Sequence, residues 1–281
     1  MKQVAAAYSR TAAAWDAGPG RIYDRLAATL VDQSPVPMAG RRALDVGAGT
    51  GAVSRAVAAR GGRAVAVDAA RAMVAAGPRP GVVADALGLP FDAARFDAAI
   101  AGFCLNHVAS PAAALREMAR VTTPGGVLLA SSYAADDGHP VKAAVDRALY
   151  EAGWELPEWC DAARSGPVVA LSTAEGFAAA ADDAGLREAH ASHHEVAFDD
   201  LGTDALLRWR LGMAQSAAFF GSLDAAGQAE VTRRARELLG EPVLPLVRSV
   251  VALVARPDRA LSASRRQPWG LACRQYWCER S

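Results

Sequence analysis

No run of about 18 apolar residues occurs in the 281-residue chain, so no membrane-spanning helix and no membrane partner is expected. The opening Met1-Lys2-Gln3-Val4 is not followed by a long apolar stretch either, and no export signal is read there. A basic excess is missing as well. Lys+Arg 30 balance Asp+Glu 30 for a net charge of +0, without the footprint of a chain that must neutralise many phosphates, so no nucleic-acid partner is expected. Cysteine is scarce. Cys104, Cys160, Cys273 and Cys278 show no C-x-x-C spacing, which suggests neither a zinc site nor a disulfide framework; no metal is expected, and the cytoplasm is the expected compartment. What remains is 52% hydrophobic and 21% charged, the composition of a globular protein, at a length suited to one decorated α/β domain.

Residues 1–40 read as a leading helical segment in which Ile22, Leu26 and Leu30 share a side before Pro35 and Pro37 end it. From Arg42 short apolar runs (43–46, 64–67, 82–84, 98–101, 127–130) alternate with helical stretches (52–60, 70–76, 111–121). That alternation implies βαβ crossovers and a mostly parallel sheet covered on both faces. Ser110-Pro111 is an N-cap with proline at the first helical position, Gly61 stops the preceding helix, and Ser172-Thr173-Ala174-Glu175 reads as a capping box for a helix closed by Gly185. Two further strands are expected near 189–198 and 247–254, with helices 203–220 and 223–239 between them. The first carries Leu206, Leu207, Trp209, Leu211, Met213, Phe219 and Phe220, a band suited to a buried helix or a pocket wall. The expected organisation is a helical lid (1–40), a domain over 41–256 with cap insertions at 134–171 and 199–240, and a mobile tail over 257–281.

The strongest motif is Leu44-Asp45-Val46-Gly47-Ala48-Gly49-Thr50-Gly51, an apolar strand that ends in a glycine-rich turn opening a helix. Glycines allow close approach of a ligand, and such a turn presents N–H groups at a positive helix end, so a nucleotide-like cofactor belongs there. Gly47-x-Gly49-x-x-Ala52 also satisfies a dinucleotide fingerprint, which keeps a nicotinamide-dependent oxidoreductase open. Three acids favour an adenosyl ligand without phosphates. Asp45 would repel a pyrophosphate but suits a cationic amino-acid moiety, Asp68 closes the second strand where it can accept ribose hydroxyls, and Asp85 closes the third, near an adenine amino group with Leu87 beside the ring.

LDVGAGTG (44–51), AVAVDAARAMV (64–74), VVADALGLPF (82–91), the segment 96–131 and, more weakly, YSRTAAAWD (8–16) together resemble the class I S-adenosylmethionine-dependent methyltransferases. The resemblance is to the branch of the ubiquinone and menaquinone C-methyltransferases and many natural-product methyltransferases. It implies a Rossmann-like, seven-stranded, mostly parallel sheet with the last strand antiparallel beside the fifth, plus N-terminal helices and helical caps. It also implies that Gly47, Ala48, Gly49 and Gly51 wrap the methionine part of S-adenosylmethionine with Asp45 behind them, that Asp68 holds the ribose, and that Ala69 and Met73 flank the adenine. Asp85 and Ala86 would meet its amino edge, while Ala101, Gly102 and Phe103 would lie beside the sulfonium. Tyr8 and Trp15 would line a lid. Where the family often has a second His and an Asp, this chain has Asn106 and Ser110, a variation that touches substrate details.

His107 is a general-base candidate, with loop support or cofactor contact as the plainer alternative; Tyr133 and His139 are candidates for substrate contact. His193 and His194 face opposite sides of a strand, so at most one can face a pocket. Trp15, Trp154, Trp209, Met213 and Phe219 are expected to contact an apolar or aromatic small-molecule acceptor, while Arg208, Arg210 and Arg248 could pair with an acidic one or form structural ion pairs. The expected activity is methylation of an oxygen, nitrogen or carbon atom in natural-product metabolism. A cyclase-like, non-methylating member of the fold and a homodimer stay open.

Overall fold

A computed structural model describes residues 2–160, 166–186 and 188–258. The chain begins with two helices, α1 (Lys2–Ala17) and α2 (Gly20–Asp32), and then alternates: β1 (Arg42–Val46), α3 (Ala52–Ala59), β2 (Arg63–Asp68), α4 (Arg71–Ala76), β3 (Gly81–Val83), β4 (Phe96–Gly102), a 3-10 turn (Leu105–His107), α5 (Pro111–Val121) and β5 (Thr122–Tyr133). There follow α6 (Pro140–Glu151), α7 (Pro167–Ala170), α8 (Ala174–Asp183), β6 (Glu188–Phe198), α9 (Thr203–Leu211), α10 (Ala217–Ser222), α11 (Ala225–Leu239) and β7 (Leu246–Arg256).

The seven strands form one sheet in the order β3-β2-β1-β4-β5-β7-β6. β1 to β5 pair in parallel, and β7 runs antiparallel between β5 and β6, in the place expected of the last strand. A parallel sheet must bury both faces, and the strand residues divide accordingly. Leu44, Val46, Ala99, Ala101 and Leu128 pack with Leu115, Met118 and Phe177 on one face; Ala98, Ile100, Val127 and Leu129 pack with Val53, Val57 and Leu30 on the other. Each fully buried Leu or Val contributes about 1.5–3 kcal/mol, so the two faces together fix the strand order.

A third apolar cluster joins segments 134–171 and 199–240 to the end of the sheet. Val141, Val145 and Trp154 from the first meet Leu206, Leu207, Trp209 and Val231 from the second, over Val196, Phe198, Leu246 and Val250. Two ion pairs pin the helices together, Arg210 on Asp146 (2.6 Å) and Arg234 on Glu151 (2.7 Å).

The local signals stand with two adjustments. Ser110 caps α5 through Ala113 N–H, and Gly61 and Gly185 follow their helices at positive φ, where an L side chain would be strained. The cap of α8 is Thr173, whose hydroxyl accepts from Gly176 N–H, one residue after the expected Ser172. The stretch 203–220 is two helices because the chain turns at Gly212, where a Cβ would meet Pro19 Cδ at 2.8 Å and Ala14 O at 2.9 Å. Residues 259–281, most of the expected tail, and 161–165 of the first insertion lie outside the described residues.

Candidate functional site

The carboxyl ends of β1, β2 and β4 open on a cleft of about 1100 Å³, mouth included, roofed by α1. The turn after β1 forms its floor. Gly47 has φ +68, and a Cβ there would lie 2.3 Å from Cys104 Sγ; Gly51 has φ +92 and would collide with Pro78 Cδ at 2.1 Å. Both are glycines because neighbouring chain leaves no room. Gly49 (φ +55) faces open space, so its missing side chain is what lets a ligand reach the backbone.

The first three amides of the turn are not aimed outward as the motif suggested. Gly47 and Ala48 N–H both donate to Val67 O, and Gly49 N–H donates to Asp68 Oδ2 at 2.8 Å. Amides already spent on protein acceptors make a poor phosphate cradle. Two carboxylates complete the floor. Asp45 is fully buried, with Oδ2 accepting from Ser54 N–H and Oγ–H while Oδ1 has no partner, and burial lifts its carboxyl to about 7. Asp68 accepts from Gly49 and Ala70 N–H, and burial raises its carboxyl too.

Tyr8, Trp15, Tyr23, Phe103 and His107 also stand on the cleft wall. Tyr8 Oη lies 3.2 Å from His107 Nε2, and burial lowers the imidazole to about 4, so His107 is neutral around pH 7. Phe103 is held at φ +56, a left-handed conformation that costs a phenylalanine about 1–2 kcal/mol, and its ring packs on Tyr133 with centroids 4.4 Å apart.

A cleft floored by a strand–glycine–helix turn whose Gly47, Ala48 and Gly49 amides already have protein acceptors, and carrying an acid at the ends of both β1 and β2, suits a phosphate-free adenosyl compound. The comparisons with known proteins agree. A methyltransferase-domain family profile matches residues 44–130. The chain is 34% identical over 186 residues to a demethylmenaquinone methyltransferase of Mycobacterium sp. (strain KMS), covering 65% of this chain and 78% of that relative. The chain belongs to the class I S-adenosylmethionine-dependent methyltransferases, in the menaquinone/ubiquinone-like branch. A second demethylmenaquinone methyltransferase, of Clavibacter sepedonicus, is 39% identical over 132 residues, 44% of this chain, and the match spans about half (52%) of that relative. Among solved structures, one from Anabaena variabilis assigned as a methyltransferase of an antibiotic biosynthesis pathway covers 81% of this chain and 96% of its own at 16% identity, with a TM-score of 0.56, and shares the fold.

The methyltransferase cofactor fits this cleft on two structural grounds: the open space over Gly49 and the unpartnered, buried Asp45 Oδ1. Of the residues expected to hold it, Tyr8, Asp45, Gly47, Ala48, Gly49, Asp68, Ala69, Met73, Ala86, Gly102 and Phe103 line the cleft. Gly51 sits behind it against Pro78, and Ala101 points into the sheet's other face. Asp85 turns its Oδ1 back to Leu87 N–H, and neither residue reaches the wall.

Of the acceptor candidates, Trp15 lines the cleft. Trp209 is almost fully buried under Arg248, and Trp154 is buried with its Nε1–H on Gln215 O; both serve the cap core. Met213 and Phe219 pack at the edge of that core, off the cleft. His139 caps α6 through Val141 N–H and meets Leu244 O, which removes it from the site. Tyr133 stands one ring behind the wall. His193 Nε2 lies 2.6 Å from Ser249 Oγ and His194 Nε2 lies 2.8 Å from Ser192 Oγ, both away from the cleft. Arg210 and Arg248 form structural ion pairs with Asp146 and Asp137.

One feature escaped the sequence reading. Ser54, which holds Asp45, had only its place on α3 to signal it. Arg248 was singled out in the sequence, and the structure makes it a buried ion pair on a strand position between the core residues Leu246 and Val250.

Proposed function

We infer that the chain transfers the methyl group of S-adenosylmethionine to an oxygen, nitrogen or carbon of an apolar or aromatic small molecule in natural-product metabolism. When bound, the cofactor supplies an electrophilic methyl on a sulfonium, so the protein's task is alignment and exclusion of water rather than activation. The carrying observation is one cleft that joins an acid-and-glycine floor, suited to the cofactor, to an aromatic wall of Tyr8, Trp15, Tyr23 and Phe103, suited to an acceptor.

In this reading Gly47–Gly49 and Asp45 hold the amino-acid part and Asp68 takes the ribose hydroxyls. Ala69, Met73 and Ala86 cover the adenine, and Gly102 and Phe103 lie beside the sulfonium. Neutral His107, oriented by Tyr8, is placed to accept a proton from the acceptor, and α1 and α2 act as a lid. The relatives' names support a ring acceptor, since both are demethylmenaquinone methyltransferases.

Calorimetry tests the cofactor half: S-adenosylhomocysteine is expected to bind and NADH is not. Labelled methyl supplied with a panel of aromatic acceptors tests the other half. Label recovered only in protein or RNA overturns the acceptor assignment, and NADH binding with no response to S-adenosylhomocysteine overturns the whole reading.

A further inference from the structure

The roof helix α1 has work on two faces. Tyr8, Ala12 and Trp15 turn toward the cleft, while Ala14, Ala17 and Gly18, on another face, line a separate groove between α1, α9, α10 and α11. The groove measures about 820 Å³, mouth included, and shares no lining residue with the cleft. Small-molecule sites commonly enclose about 300–1,000 Å³, so its size suits a ligand of that class.

The floor of the groove is apolar and open. On α9, Asp204, Leu207, Arg208 and Leu211 stand at i, i+3, i+4 and i+7, a single stripe about 10 Å long at a rise of 1.5 Å per residue. Leu207 and Leu211 are buried against the cap core on one side and border the groove on the other, with Phe220 of α10 beside them. The charged and hydroxyl groups around this floor are committed, with one exception. Asp204 pairs with Arg236, and the Thr232 hydroxyl donates to Gln228 O. Arg208 is exposed, and among the described residues its side chain has neither a hydrogen bond nor an ion pair. One unspent guanidinium calls for one negative charge, and its planar fork of N–H groups matches the two oxygens of a carboxylate. The leucine floor calls for an apolar body, and the length of the stripe suits an unbranched chain laid along α9.

We propose that this groove is a second ligand site, for a monocarboxylate with an unbranched aliphatic chain. The chain lies along Leu207, Leu211 and Phe220, and the carboxylate meets Arg208. The site stands apart from the methyl-transfer reading, since it has only the roof helix in common with the cleft.

Two probes of equal length separate charge from chain: octanoate and the neutral octanamide, titrated by calorimetry near neutral pH. Octanoate is expected to bind about two- to fivefold more tightly, the scale of an exposed ion pair. Arg208→Gln is expected to erase that preference and leave octanamide binding as it was. Gly221→Trp tests the place. Gly221 lines the groove, and a Cβ there would meet nothing within 4 Å, so the indole is expected to fill the groove without disturbing the fold and to weaken both probes by about tenfold or more. Equal binding of the two probes, no binding of either, a preference that survives Arg208→Gln, or affinities unchanged in Gly221→Trp overturns the site. A dimer of the parent protein that Gly221→Trp splits also overturns it, because the groove is then an interface between two copies. Neither substituted residue lines the cleft, so each of these failures leaves the methyl-transfer reading standing.

Discussion

The floor and the wall of the cleft are made differently. The floor is a turn of glycines and two acids, all within 45–70, held by hydrogen bonds to Val67 O and from the N–H groups of Ser54, Gly49 and Ala70. The wall is side chains, drawn from α1, α2, the β4 end and, one layer back, β5, α9 and β7. Backbone work is local in sequence and tolerates little substitution. Side-chain work is assembled from afar, and its parts can be changed one at a time.

Substitutions in and around the floor and the wall should separate this difference. The largest effect is expected at Gly51→Ala, where a Cβ 2.1 Å from Pro78 Cδ joins a left-handed backbone; urea titration should show a protein largely unfolded. Trp209→Ala comes next, at about 3–5 kcal/mol of stability, since the ring is core rather than pocket wall. Asp68→Ala should fold yet lose about 2–4 kcal/mol of S-adenosylhomocysteine affinity by calorimetry, because two charge-assisted hydrogen bonds vanish together. An unchanged affinity in the folded variant would sink the ribose assignment.

A pH experiment sharpens the comparison, because burial shifts Asp45 in the floor and His107 in the wall in opposite directions, with Asp68 moving the same way as Asp45. Asp45 rises from its ordinary 3.8 to about 7 in the fold, so its stabilising contribution is full below 3.8 and is lost as pH climbs to about 7. His107 falls from 6.5 to about 4, so its contribution is full above 6.5 and is lost as pH drops to about 4. In the parent the trends offset between pH 4 and 7. Asp45→Asn should therefore lose stability on acidification relative to the parent, and His107→Gln should gain it, by up to about 1.4 kcal/mol per pH unit. Equal pH slopes in all three proteins would contradict both burials. The smallest effect is expected from Tyr8→Phe, which removes one hydrogen bond to His107 and should cost about 1 kcal/mol or less in urea titration.

The contrast also explains what the sequence disclosed. Whereas the seven-stranded sheet with its antiparallel last strand came from the family resemblance, the strand–helix alternation and the cleft floor were legible because each rests on contiguous residues with a fixed period or a glycine requirement. The commitment of the turn amides to Val67 and Asp68 was not, since it depends on how β2 lies beside β1. Nor could the order of the aromatic layers be read: Trp209 and Trp15 look alike in sequence, and only packing puts one in the cap core and the other on the cleft. His139 read as a site residue because it follows the fifth strand, yet local hydrogen bonding makes it a helix cap.

The roof of the cleft is one amphipathic helix laid on α4 through Ala12, Trp15, Ala70 and Met73, with the Tyr8 hydroxyl tied to His107 across 99 residues of chain. Packed on the sheet's end rather than hydrogen-bonded into it, α1 is expected to open before the sheet does, its amides exchanging with solvent by local rather than global unfolding. Whatever fills the cleft also props this helix shut, so the deuterium uptake of α1 becomes a gauge of occupancy that needs neither a labelled substrate nor turnover.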